Sequence, residues 1–257
     1  MGTDDQASPA IPPERSSAFP TTQWSMVLKA GARLDQQAHD ALEALCRNYW
    51  YPLYVFARRE GRDHHEAEDS IQEYMAELLS ADGIERARPE RGRFRTFLLT
   101  GLRNFLTDKW RRTQAQKRGG GQNVVSLAIS EAGERYCPEP RDTALTPEQS
   151  FDRNWALGLI DRAVSDVRAE YQRGQRGTVF DALAPMVWGN VRPNSFELEA
   201  ARLGMTVPAF TVALHRARRR LGERLRSLVA ETVAEPSEVD AELRHLVSAI
   251  SDSSTGS

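Results

Sequence analysis

Apolar positions recur at steps of three and four along most of the chain, and no stretch alternates long enough to form a strand. Leu42, Leu45, Tyr49, Leu53 and Phe56 make the first helical stripe, with Pro52 expected to kink the helix or divide it. Asp63 and Glu66 form a capping box for a second helix. Its apolar face is Ala67, Ile71, Tyr74, Met75, Leu78 and Leu79, and its other face carries Glu66, Asp69, Gln72, Glu73 and Glu77. A loop from Arg86 to Arg93, holding Pro89 and Gly92, leads into the most regular stripe of all: Phe94, Phe97, Leu98, Leu102, Phe105, Leu106 and Trp110. That regularity points Phe94, Phe97, Phe105 and Trp110 into a core and leaves Arg95, Arg103, Asn104, Thr107, Asp108 and Arg111 on the remaining surface.

The second half repeats the helical period. Thr146-Pro147-Glu148 reads as a helix start with proline in the first turn, followed by the stripe Phe151, Trp155, Leu159, Ile160, Val164, Val167 and Tyr171. A short helix is expected near 178–187. Asn194 and Ser195 can cap the next one, Gly204 turns the chain, and Thr206 can cap a long helix with the stripe Phe210, Leu214, Ala217, Leu221, Leu225 and Leu228. Pro236 separates a last amphipathic helix with Val239, Leu243, Leu246 and Ile250. Residues 1–19, rich in Pro, Ser and Asp, read as a disordered arm, and 119–146, rich in Gly and Pro, as an extended linker. The expected fold is all-α, with two small helical domains at 20–118 and 147–232 and a C-terminal extension at 233–257.

Composition narrows the function. Of the 257 residues, 40% are hydrophobic and 27% charged, ordinary values for a soluble globular chain. No apolar run approaches the roughly 20 residues a membrane span needs. The polar N-terminus does not read as a signal peptide, and Cys46 and Cys137 belong to no metal-spacing motif. These features suggest the cytoplasm and no membrane. The net charge of −2 hides a sorted distribution. Residues 60–85 carry net −8, 86–120 net +9, 214–226 net +5 and 231–252 net −5. Two basic blocks suggest two contacts with a polyanion, and the acidic blocks suggest contacts with protein.

Two constellations carry chemistry. Ala200-x-x-x-Gly204 followed by Phe210 has the form of a helix-turn-helix: the small residue permits close approach, the glycine turns the chain, and the phenylalanine fills the space between the helices. The second helix of such a motif presents its N-terminal residues to base edges in the major groove. Here these are Thr206, Pro208, Ala209, Thr211 and Val212, then His215 and Arg216, with Arg218, Arg219 and Arg220 placed for phosphates. The other constellation is the basic loop and helix at 86–112, whose cations and polar face suit unstacked DNA. His64, His65 and Glu68 gather no further metal ligands, Gly119-Gly120-Gly121 lacks the context of a phosphate loop, and no nucleophile–base arrangement stands out. Neither enzyme activity, cofactor nor metal is expected.

With both segments in view, the chain resembles the sigma-70 family of transcription initiation factors, in particular its small extracytoplasmic-function (ECF) group. Ala67-Glu68-Asp69-Ser70-Ile71-Gln72-Glu73 is similar to the family's acidic segment, and Phe94-x-x-Phe97-Leu98-x-x-x-Leu102-Arg103-Asn104-x-x-x-Asp108 to its promoter-melting helix. Leu203-Gly204-Met205-Thr206 and Leu214-His215-Arg216-Ala217-Arg218-Arg219-Arg220-Leu221 resemble its second DNA-binding domain. Phe19-Pro20-Thr21-Thr22-x-Trp24-Ser25, Lys117-Arg118-Gly119-Gly120-Gly121 and Thr232-Val233-Ala234-Glu235-Pro236 resemble a subgroup with a long linker and a C-terminal extension.

The resemblance implies that Asp69, Gln72 and Glu73 bind the clamp helices of the largest subunit of core RNA polymerase. Arg88, Arg91, Arg93, Arg95, Arg103, Asn104 and Lys109 would capture the −10 promoter element as its strands separate. The helix from 207 would read the −35 element while its domain sits on the flap of the second-largest subunit. Control by an anti-sigma factor or a kinase stays open. Thr211 and Ala213 stand where the family often has Lys or Arg, and Glu199 where it usually has an aliphatic residue, so Glu199 needs a basic partner, access to solvent or a rotated helix. Two alternatives use part of the pattern: a stand-alone helix-turn-helix regulator, and a helical polymerase adaptor that does not initiate. The acidic face of the helix at 237–250 could also mask the basic helix 214–226.

Overall fold

The computed structural model describes residues 36–78, 93–119, 145–189 and 195–251. The expected arm 1–19, the loop 86–92 with Arg88 and Arg91, and the linker up to residue 144 lie outside the described residues, as does Asn194. The described residues are all-α, with helices α1 (Gln36–Arg59), α2 (His64–Leu78), α3 (Phe94–Gly119), α4 (Pro147–Arg173), α5 (Gly177–Leu183), α6 (Ser195–Arg202), α7 (Val207–Ala230) and α8 (Val239–Ser251). Short 3-10 turns at Ala184–Met186 and Pro236–Glu238 follow α5 and precede α8.

The starts of the helices follow local chemistry. Asp63 Oδ1 accepts from the Glu66 amide at 2.8 Å, satisfying one of the free donors at the start of α2. Thr146 closes a full capping box with Gln149 and puts Pro147 in the first turn of α4. Thr206 caps α7 by accepting from the Ala209 amide. Pro52 does not divide α1, which runs through it. The lost hydrogen bond is outweighed by packing, because Leu53, Tyr54, Val55, Phe56 and Ala57 around it are all buried.

One core joins the two halves of the chain. Tyr49, Phe56, Ile71, Phe94 and Leu102 from the first half form a single cluster with Phe151, Trp155, Val167, Leu228 and Leu246 from the second. α4 lies along α1, and α8 packs on α4 and α7. The helical segments expected to form two domains therefore bury apolar surface against each other. A smaller cluster of Leu183, Met186, Ala200, Phe210, Leu214 and Ala217 holds α5, α6 and α7 together. The α2–α3 packing is close. The Tyr74 hydroxyl donates to the Leu98 carbonyl at 2.8 Å, and a Cβ at Gly101 would meet that hydroxyl at 2.5 Å. Burial raises the Tyr74 pKa, so the phenol stays a donor.

Candidate nucleic-acid and polymerase interface

α2 buries Ala67, Ser70, Ile71, Tyr74, Met75 and Leu78, which turns its carboxylates outward. Asp69 and Glu73 are exposed and Gln72 is half-buried, so the three residues expected to touch a protein share an open face. Glu73 also pairs with Lys109 of α3 at 2.9 Å. Lys109, expected on DNA, therefore sits at the border between the acidic and basic faces.

On α3, Phe94 and Phe105 are core and Phe97 is half-buried. Trp110 departs from the core expectation: it is 53% exposed. Among the described residues the apolar stripe of α3 outlasts the helices that cover it. Trp110 lines a surface cleft of about 160 Å³ with Phe56, Glu60, Arg62, Arg103, Leu106 and Thr107. Arg103 and Asn104 are exposed, and the Arg103 guanidinium lies 5.7 Å from the Phe56 ring centre. The exposed Trp110 ring and the cation of Arg103 in one cleft suit a stacked base near a phosphate. Sequence reading missed Arg62 and the cleft, because Arg62 reaches it through the turn after α1, where Gly61 takes a left-handed φ of +88°. Helical periodicity says nothing about such a turn.

The basic residues at the start of α3 are already occupied. Arg95, assigned to DNA from its sequence position, is only 8% exposed. Its Nε pairs with Glu242 of α8 at 2.7 Å, and its Nη1 with Asp152 of α4 at 2.6 Å. Arg93 reaches the other Glu242 oxygen at 2.9 Å. Arg103 pairs with Glu148 at the start of α4. A buried carboxylate is tolerated only when paired in this way, and Glu242 is fully buried. Between α8 and the basic part of α7, whose masking the charge pattern suggests, stands the exposed pair Arg226 with Asp240 at 2.6 Å. The rest of α8's acidic contact goes to α3 because Glu242 lies on its buried face with Val239 and Leu246.

α6 and α7 make a helix–turn–helix arrangement. Gly204 takes a φ of +65°, a conformation that favours glycine. Ala200 and Phe210 are buried, and Phe210 meets the Phe196 ring edge-on at 5.8 Å. Glu199 finds its basic partner in Arg202 at 2.7 Å. Thr206, Pro208, Ala209, Thr211, Val212, His215 and Arg216 form an exposed face. The arginines assigned to phosphate diverge. Arg219 is 72% exposed in its side chain and pairs with Glu223. Arg218 instead donates to the Met186 and Val187 carbonyls, closing the end of the α5 turn. Arg220 grips Glu170 through two nitrogens, holding that carboxylate below its ordinary pKa. Their spacing matches a phosphate row, but the ends of α4 and α5 are nearer.

Among the described residues no cluster of His, Cys, Asp or Glu could hold a metal ion, and no helix is long and apolar enough to cross a membrane. The geometry defines a helical protein with an acidic face beside a basic aromatic helix, and a helix–turn–helix with its own small cluster whose second helix runs on into the main core. Residues 45–116 match the family model described as Sigma-70 region 2. The match takes in most of α1, all of α2 and most of α3, so the chain carries a sigma-70 region 2 helical domain. This supports a sigma-factor role in promoter recognition with RNA polymerase. The comparisons with curated proteins and with solved structures find no match.

Proposed function

We propose that the chain is an alternative sigma factor of the ECF group, which binds core RNA polymerase and directs initiation at its own promoters. The observation that carries this reading is the region 2 match over a segment whose acidic α2 face and polar α3 face are both open. In this reading Asp69, Gln72 and Glu73 contact the clamp helices of the largest subunit. Arg103, Asn104 and Lys109, with Arg88 and Arg91 before α3, hold the −10 strand as it separates. Unstacking a base costs a few kcal/mol, which the cleft beside Trp110 and the backbone contacts offset.

The helix–turn–helix supports a −35 reader. Thr206, Pro208, Ala209, Thr211, Val212, His215 and Arg216 lie on one exposed face that fits a major groove, with Arg219 toward the phosphates. With few charges on that face, base readout rests more on hydrogen bonds and methyl contacts than on bidentate arginines. Its domain would sit on the flap of the second-largest subunit, in the cytoplasm where the polymerase works.

The test is reconstitution: mix the purified protein with core polymerase and assay run-off transcription on promoter-containing genomic fragments. Discrete transcripts that require the protein are expected. Duplex binding without polymerase and no transcript would instead indicate a stand-alone regulator, and core binding without transcript a non-initiating adaptor.

A further inference from the structure

The cluster at the start of α3 joins three parts of the chain that are distant in sequence. Glu242 of α8 is fully buried and takes Arg95 on one oxygen and Arg93 on the other. Asp152 of α4 takes Arg95 at 2.6 Å, and His245 of α8 approaches the second Asp152 oxygen at 3.1 Å. The Arg95 guanidinium also lies 5.4 Å from the Trp155 ring centre. Next to the cluster Glu148 holds Arg103. Three arginines of the DNA-facing segment thus have carboxylate partners from α4 and α8. A carboxylate and a phosphate compete for the same fork of guanidinium donors.

We propose that α8 and the start of α4 form an intramolecular clamp in which Glu242 and Asp152 stand in for DNA phosphates on Arg93 and Arg95. The clamp rests on the reading of α3 as a DNA-contacting helix. While it is closed, the chain offers single-stranded DNA fewer cations than its sequence contains. When it opens, Arg93 and Arg95 exchange carboxylates for phosphates, and α8 leaves the face it covers. The C-terminal helix is then a built-in competitor of DNA. The shared core of the two halves describes the closed state.

The test is salt-dependent binding of fluorescein-labelled oligodeoxythymidine to the full chain, read by anisotropy, with no polymerase present. The logarithm of affinity falls with the logarithm of salt by about 0.7 per phosphate contact on single strands. Glu242→Gln with Asp152→Asn frees both arginines and is expected to steepen that slope by about 1.4. Asp161→Asn with Glu66→Gln changes the net charge equally without touching the cluster and is expected to leave the slope at the wild-type value. If the first pair does not fold by circular dichroism, the isosteric Glu242→Gln alone carries the test: it releases Arg93, leaves Arg95 on Asp152, and is expected to steepen the slope by about 0.7. Equal slopes in clamp and control variants, or no oligonucleotide binding by any of them, would overturn the clamp. Failure of the initiation reading shows separately, as absence of binding to core polymerase.

Discussion

Phe210→Ala separates the helix–turn–helix from the rest of the chain. Phe210 is fully buried, and the cluster it anchors is distinct from the larger core. A buried phenylalanine removes about 150–250 Å² from water, which at ~25 cal/mol per Å² corresponds to roughly 4–6 kcal/mol. A compact denatured chain lowers this by about 10–40%, leaving roughly 3–5 kcal/mol, the usual range for truncating a core phenylalanine. The small cluster has few other large side chains to absorb such a loss, so α6 and the first turns of α7 are expected to open locally. The large core, anchored by Phe56, Phe94, Phe151 and Trp155, should persist. Native-state hydrogen exchange reads this residue by residue: amides of 195–217 should lose protection while those of 49–57 and 151–167 keep theirs. A loss under about 1 kcal/mol, or equal loss of protection throughout, would refute the division into two clusters.

Further expectations follow from single contacts. Gly101→Ala forces a methyl against the Tyr74 hydroxyl and should destabilise the chain by about 1–3 kcal/mol in denaturant melts, with Tyr74→Phe in the same background recovering part of it. Burial raises the Glu231 carboxyl above its ordinary pKa, so its stabilising balance is present below about pH 4.5 and is lost as pH rises through the folded value. Glu231→Gln should therefore melt at a higher temperature than wild type at pH 7, with the gap closing toward pH 4. Asn104→Ala should slow strand opening in permanganate footprints by about tenfold, the scale of one base contact, while binding to core polymerase changes little. If opening and core binding fall together, the division of roles between α2 and α3 is wrong.

The sequence was most legible where a helix meets its own neighbours. The stripes of α2, α4 and α7, the caps at Asp63, Thr146 and Thr206, and the turn at Gly204 all rest on spacings of a few residues. What escaped was long-range. Trp110 keeps the period of α3, yet among the described residues it stays half-exposed. Arg95 and Arg218 have the spacing of DNA contacts, but their partners are Glu242 and Asp152 in one case and backbone carbonyls in the other. A charge count registers the acidic block after residue 231 and the basic block before 112 without revealing that they meet. Pro52 shows the reverse: of the kink or division expected there, division does not occur, and α1 continues through it into the buried run Leu53 to Ala57.

The most direct measurement is a titration of the labelled full-length chain into core RNA polymerase. A saturable one-to-one complex is expected, which Asp69→Lys, a reversal on the exposed α2 face, weakens by at least about tenfold without lowering the melting temperature. No complex with core polymerase, or a complex indifferent to Asp69→Lys, would contradict it.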